Sequence, residues 1–209
     1  LIIHLPFYKA TMLTITGVFL FTCVDAFIKL LSPSFQVGQV LIVFGLGTAV
    51  MFWAMALLSE QSVFDKRYIH KATLFRCISE TIGGLALVFA LANSALSVVT
   101  AIMQTSPLVL TIMAVVFLKE RIGPPRIIAI FVGFIGVLIV IRPTLEGVDI
   151  FAVSALVGVI GLAGRDFSAR ILPNDISVIG LSFFGSLSVA LAGVLLMVFS
   201  EGWVLPNIM

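Results

Sequence analysis

The sequence predicts an all-α, polytopic membrane helix bundle made of inverted repeats, with seven helices present and the second repeat truncated. Three observations predict this fold. Of the 209 residues, 61% are hydrophobic and only 11% are charged, whereas a soluble chain carries roughly 25% charged residues. Several apolar segments reach the roughly 20 residues that a helix needs to cross a bilayer. Part of the first half of the chain also recurs in the second half.

Seven apolar segments are separated by short intervals that contain Pro, Gly, Ser or Asn, which interrupt helices. None of the segments shows the alternation expected of a barrel strand, and irregular backbone cannot face lipid, so each is predicted to be a helix. The seven predicted spans are residues 11–31, 37–58, 72–92, 95–118, 125–142, 150–170 and 176–199.

The repeat begins with a pattern of small, charged and apolar residues in the first span. Gly17-Val18, Asp25, Lys29 and Leu31 recur 141 positions later as Gly158-Val159, Asp166, Arg170 and Leu172. With one residue deleted, the match continues from Phe44-Gly45 into Phe184-Gly185. An odd number of spans separates the copies, so we expect the second copy to enter the bilayer from the opposite side. Halves of inverted topology are typical of secondary transporters, with the substrate path at their interface.

Lys and Arg in short loops predict the orientation, because they are enriched on the cytoplasmic side. Lys29 and Arg142 lie at one face, and the remaining loop cations lie at the other: Lys9, Lys66, Arg67, Lys71, Lys119, Arg121, Arg126 and Arg170. We therefore expect a cytoplasmic N-terminus, with segments 59–71 and 119–126 inside and 32–36 and 143–149 outside. The predicted location is the inner (plasma) membrane.

The deepest ionisable residue is Glu80, about 5 Å from the middle of the third span at 1.5 Å per residue. Arg76 lies one turn earlier on the same face, where the two can pair. Ionisable groups at this depth are costly and usually functional. Two interpretations remain open: a structural ion pair that faces the bundle interior, or a carboxylate that binds substrate or a proton.

Two further charged clusters occupy equivalent positions of the repeat. Asp25 and Lys29 are spaced for an i,i+4 pair, and Lys29 can extend to the outer interface. Asp25 is either an internal salt-bridge partner or a site residue. Arg165 and Asp166 are deep enough to face a cavity, where an arginine would suit a carboxylate-bearing substrate.

The fourth span contains a polar step, Gln104-Thr105-Ser106, followed by Pro107. Proline removes one helix hydrogen bond and clashes with the preceding turn, so a kink is expected there. The polar side chains and freed carbonyls then form a candidate substrate surface. Alternatively, Ser and Thr only satisfy the kinked backbone.

Residues 95–108 and the following Phe117-Leu118-Lys119-Glu120-Arg121 resemble the fourth helix of EamA-type transporters of the drug/metabolite transporter superfamily. Residues 127–143, with Gly133 and Gly136, are similar to the fifth helix of that family. The resemblance implies ten helices in two inverted five-helix repeats and a central cavity for small metabolites. Within the superfamily, Arg165-Asp166 followed by Arg170 resembles members grouped with S-adenosylmethionine uptake carriers.

The resemblance divides the chain into residues 1–143, a first EamA repeat of five helices, and residues 144–209, the start of a second, inverted repeat. Only two helices of the second repeat are present, and the chain begins with Leu. We therefore expect a fragment that lacks the last three helices of a longer protein.

The predicted function is secondary transport of a small polar metabolite, amino-acid-like or otherwise carrying a carboxylate or amine, by alternating access. The substrate or ion pathway is predicted to include Glu80, Asp25, Arg76, Gln104, Thr105, Ser106, Arg165 and Asp166. We expect a small-molecule substrate and the lipid bilayer as partners, no nucleic acid, no cofactor and no metal; a homodimer remains open. No GxxxxGK[ST] loop is present, so the driving force is expected to be a gradient.

Other functional classes remain as alternatives. A passive channel or a non-transporting scaffold comes first, and an intramembrane enzyme is the least favoured. An aspartyl protease that used Asp25 and Asp166 would need two acids that share a proton, but Lys29, Arg165 and Arg170 would keep both ionised. Paired His ligands for a catalytic metal are also missing from the sequence.

Overall fold

The computed structural model describes residues 7–141, 149–173 and 176–199, and these ranges contain helices but no strand. A short 3₁₀ helix, Lys66–Tyr68, precedes α3. The eight α-helices are α1 (Phe7–Leu31), α2 (Val37–Leu58), α3 (Lys71–Asn93), α4 (Leu96–Met103), α5 (Ser106–Leu118), α6 (Pro124–Ile141), α7 (Ile150–Arg170) and α8 (Val178–Phe199).

Within the described residues, six helical stretches are long and apolar enough to cross a membrane, with α4 and α5 counted together as Leu96–Leu118. A seventh apolar helix, Pro124–Ile139, is shorter. Large apolar side chains also point outward along the bundle, as Leu58 and Phe199 do with 87% of their surface exposed. This surface suits lipid and not water. The prediction of an all-α, polytopic membrane bundle is confirmed.

The fourth predicted span is two helices, because a turn at Gln104 and Thr105 separates α4 from α5. Pro107 lies in the first turn of α5, where its missing N–H costs nothing. Its ring excludes a continuous helix through the preceding turn, so the break falls just before it. The break between α4 and α5 thus falls where the sequence predicts a kink. Most other helix bounds differ from the prediction by four residues or fewer, and Arg142 and segment 143–148 lie outside the described residues.

Two antiparallel helix pairs form the centre of the bundle. In the α3–α7 pair, Gly83 faces Gly161 and Leu87 faces Gly158. A β-carbon on Gly161 would lie 2.7 Å from the Ser79 carbonyl oxygen and still closer to the Gly83 backbone. Small residues permit this approach, as is usual where helices pack in lipid.

The second pair is α2 with α8. A β-carbon on Gly45 would lie 2.9 Å from the α-carbon of Ala190, and one on Gly193 would lie 2.8 Å from the Gly38 carbonyl oxygen. Glycines therefore permit the close approach in both pairs. At Gly47 and Gly136, by contrast, a β-carbon would meet nothing within 4 Å.

Helix α1 runs parallel to α3, because the C-terminal ends of the two helices lie together. Lys29 near the end of α1 donates to the carbonyl oxygens of Ala92 (3.2 Å) and Ser94 (2.7 Å) at the end of α3. Since α3 and α7 are antiparallel, α1 and α7 run in opposite directions. The two copies of the sequence repeat that begin at Gly17 and Gly158 are thus oppositely directed.

The cationic loops meet at one end of the bundle. Asp65 caps the 3₁₀ helix by accepting from the backbone N–H of Arg67, and its other oxygen pairs with the Arg67 side chain at 2.7 Å. The side-chain hydrogen bond from Arg67 is the main reason why the pKa of Asp65 lies below its usual value. Arg170 at the end of α7 lies 3.9 Å from Glu120, so the α5–α6 loop and the end of α7 share a face.

We expect Gly161→Ala to destabilise the protein by about 1–3 kcal/mol, because the added methyl group would push α3 away from α7. The measurement is the midpoint of thermal unfolding in detergent. Gly17→Ala is the matched control, since a β-carbon there meets no atom within 4 Å. The control should be neutral or stabilising by up to about 1 kcal/mol, because Ala is the better helix former. Equal midpoints for both variants would contradict the close α3–α7 contact.

Candidate functional site: a charged cavity between five helices

A cavity of about 680 Å³ lies between α1, α2, α3, α7 and α8. The first two helices belong to the first copy of the repeat and the last two to the second copy. Charged, hydroxyl and aromatic side chains share its wall. The lining residues are Gly17, Leu20, Phe21, Val24, Phe44, Thr48, Met51, Phe52, Arg76, Glu80, Arg165, Asp166, Ala169, Val178, Ser182 and Ser186.

Arg76 joins three helices at the wall of this cavity. Its Nε lies 3.0 Å from Glu80 Oε2 on α3, its Nη1 donates to the Arg165 carbonyl oxygen on α7 (3.3 Å), and its Nη2 donates to Ser182 Oγ on α8 (3.0 Å). The Arg76 side chain is only 8% exposed. The planar guanidinium thus donates two hydrogen bonds to neighbouring helices while its Nε faces Glu80.

The predicted Arg76–Glu80 pair is present and largely buried, with the Glu80 side chain 14% exposed. Neither Arg76 Nε nor Glu80 Oε2 has a hydrogen-bond partner in the described structure, so their contact is electrostatic. Gly185 of α8 faces this pair, and a β-carbon there would collide with the Glu80 carboxylate. The absence of a side chain at Gly185 therefore leaves the space that Glu80 occupies.

Arg165 and Asp166 of α7 form a second pair at the same cavity. Arg165 Nε donates to Asp166 Oδ1 at 2.9 Å, and their side chains are 25% and 44% exposed. This pair is more accessible than Arg76–Glu80. Together the four side chains present two positive and two negative charges to one space, with no net charge.

Asp25 does not line the cavity of about 680 Å³, called the main cavity below, but lies beside it. Only 4% of Asp25 is exposed, and it lines a smaller cavity of about 50 Å³. Glu80 and Arg165 are among the residues that line both cavities, so the two cavities adjoin. The predicted Asp25–Lys29 pair is wrong, because Lys29 instead donates to the carbonyl oxygens at the end of α3. Those carbonyls are unpaired at a helix end and attract a cation.

The polar step of the fourth span does not contribute to either cavity's wall. Gln104 is exposed, and Thr105 Oγ1 donates to the Ile102 carbonyl oxygen at 2.6 Å. The Thr105 hydroxyl thus hydrogen-bonds to a carbonyl oxygen beside the helix break. This is what the alternative interpretation expects, in which Ser and Thr only satisfy the kinked backbone. A pathway role of Gln104, Thr105 and Ser106 stays a prediction.

Sequence reasoning missed the contribution of α8. Ser182 and Ser186 both face the main cavity, and Ser182 binds Arg76 directly. Their i,i+4 spacing within an otherwise apolar span was the available signal, because such residues share one helix face. Ser188 bonds to Thr81 Oγ1 at 3.1 Å and so adds a second polar link between α8 and α3.

Comparison with known proteins identifies the family. Residues 8–142 match the EamA-like transporter family. The chain belongs to this family. Its members are transporters rather than enzymes, and the helices establish a multi-pass membrane protein.

A curated relative extends the comparison. The chain is similar to a riboflavin transporter of Brucella anthropi, with 29% identity over 85 residues. The aligned region covers 41% of this chain and 30% of the relative's length. No solved structure matches the chain.

We expect Glu80→Gln to destabilise the bundle by about 3–5 kcal/mol, because it leaves the buried Arg76 charge without a counter-charge. The double variant Arg76→Gln/Glu80→Gln removes both charges and should recover much of that loss. Thermal unfolding in detergent measures both effects. Asp65→Asn is the control, since the Asp65–Arg67 pair lies in an exposed loop and its loss should change the midpoint far less.

The same double variant decides what the pair does for transport. We expect a folded but inactive double variant, because a cavity-facing charge has been lost. Full transport by the double variant would contradict a functional role and leave the pair purely structural.

Proposed function

We propose that this protein is a secondary transporter that moves a small polar metabolite across the inner membrane by alternating access. The observation that carries the proposal is the cavity between α1, α2, α3, α7 and α8, in which two oppositely charged pairs face the same space. Charged side chains at membrane depth are costly and are retained chiefly for transport, proton transfer or ligand binding. No catalytic step is proposed for them.

The directions of the helices support alternating access. The repeated segments α1 and α7 run in opposite directions, and α2 and α8 pack antiparallel against each other. Secondary transporters of inverted-repeat design bind substrate between the halves and rock one half against the other. We therefore propose that residues 1–143 and 144–209 belong to a first and a second EamA repeat, with the cavity at their interface.

The balance of charges supports a substrate with both acidic and basic groups, or with either one. Arg165 offers a guanidinium that a carboxylate can pair with, and Asp166 offers a carboxylate for an amine. Both side chains are partly exposed to the cavity. Phe21, Phe44 and Phe52 of the lining can contact the apolar part of the same solute.

We expect the intact protein in proteoliposomes to catalyse counterflow: internal unlabelled substrate should accelerate entry of labelled substrate. A carrier shows this because each reorientation is faster with substrate bound, whereas an open channel has no such coupling. The test substrates are amino acids and riboflavin. Riboflavin is included because the similar protein of Brucella anthropi is named a riboflavin transporter.

Arg165→Gln should reduce counterflow of a carboxylate-bearing substrate by about 10-fold or more, if one charged contact contributes roughly 1.5–3 kcal/mol. Arg121→Gln in the α5–α6 loop is the control and should retain counterflow. Uptake without counterflow by any member of the panel would favour a channel instead.

The orientation is a further proposal, supported by the cationic loops that meet at one end of the bundle. We expect a cysteine at position 66, in a variant without Cys23 and Cys77, to resist membrane-impermeant maleimide in intact cells and react after permeabilisation. A cysteine at position 34, in the α1–α2 loop, should react in intact cells. The reverse pattern would place the N-terminus outside.

A further inference from the structure

Asp25 is the one carboxyl group in the described transmembrane helices that is both buried and without an ionic or hydrogen-bond partner among the described residues. It lies in the outer half of α1, is 4% exposed, and points into the cavity of about 50 Å³. That volume has room for one or more water molecules. The larger cavity begins on the other side of Glu80 and Arg165.

The charged groups that face Asp25 can be named for each neighbouring helix. Glu80 approaches from α3 and Arg165 from α7. The parts of α2 and α8 that line the small cavity carry no charge. On α1 itself, Lys29 is held by the carbonyl oxygens of α3.

The two charged neighbours are already engaged elsewhere. Glu80 pairs with Arg76 at 3.0 Å, and Arg165 pairs with Asp166 at 2.9 Å. Neither is an ion-pair partner of Asp25. An ionised carboxylate without a partner is strongly disfavoured in such surroundings, so the group must acquire a proton or a cation.

A proton fits this site better than a metal cation. Hard cations require about six oxygen ligands in defined positions. The side chains that line the small cavity offer the carboxyl groups of Asp25 and Glu80, and the remainder, apart from Arg165, are apolar. A protonated carboxyl group needs no such shell.

We propose that Asp25 carries the proton that couples transport to a pH gradient; this rests on the transport function proposed above. While the small cavity is closed to bulk water, the proton is carried on the carboxyl group. When the site opens to water, the O–H bond breaks, the proton passes to water in the larger cavity, and the carboxylate remains. Arg165, at the common wall, is placed to stabilise that carboxylate once a substrate carboxylate or a helix movement changes its pairing with Asp166.

Infrared spectroscopy tests the protonation directly and needs no substrate. The intact protein in lipid at pH 5 should show the carbonyl stretch of a protonated carboxyl group, which shifts in D₂O and on incorporation of ¹³C-aspartate and disappears at alkaline pH. Asp25→Asn should remove this band, and Asp166→Asn, its equivalent in the repeat, should leave it. Absence of an aspartate-dependent band, or its persistence in Asp25→Asn, would overturn the proposal.

The coupling is tested in proteoliposomes with the counterflow substrate. Asp25→Asn should lose uptake driven by a pH gradient by at least about 10-fold while it retains counterflow, because exchange needs no net proton transfer. Asp149→Asn, at the start of α7, is the control and should retain both. Gradient-driven uptake by Asp25→Asn, or native uptake that follows a Na⁺ gradient at equal pH, would overturn the proposal. Failure of the transport function would instead show as absence of counterflow in the native protein, and the infrared result would still decide whether Asp25 holds a proton.

Discussion

The close contact of α3 with α7 is the constraint on which the cavity depends. Gly83 and Gly161 bring the two backbones together where any side chain would hold them apart. At this separation Arg76 of α3 reaches the carbonyl oxygen of Arg165 on α7. In lipid, helix association gains little from the hydrophobic effect and depends on such close packing and on polar contacts between helices. Both occur along the same pair of helices.

The two charged pairs differ in their contacts: the Arg76–Glu80 pair links helices, and the Arg165–Asp166 pair lies within one helix. Arg76 is shared between a carboxylate, a carbonyl and a hydroxyl on three helices, which fixes its position. Arg165 and Asp166 pair within one helix and remain partly exposed. In the proposed transport function, a solute would exchange partners with the second pair and leave intact the contacts between helices that the first pair maintains.

The two copies of the repeat differ in packing and in ion pairing at equivalent positions. Gly158 of α7 contacts the Leu87 backbone, while its equivalent, Gly17 of α1, lines the cavity and has no helix against it. Asp166 is paired and accessible, while Asp25 is buried without a partner. Equivalent sequence positions thus differ in their surroundings, because among the described residues α7 packs closely against α3 through glycines and α1 does not.

The sequence by itself determined the class of fold, the approximate span limits, the helix interruption near Pro107 and the Arg76–Glu80 pair. These features depend on local properties: apolar length, the missing N–H of proline, and the i,i+4 geometry of one helix. Only the tertiary structure decided the partners of Lys29, the contact of Ser182 with Arg76, and the exclusion of Gln104 from the cavity wall. Each of these depends on which helix lies opposite, and helices in lipid choose neighbours by the fit of small residues on faces that a single sequence does not pair.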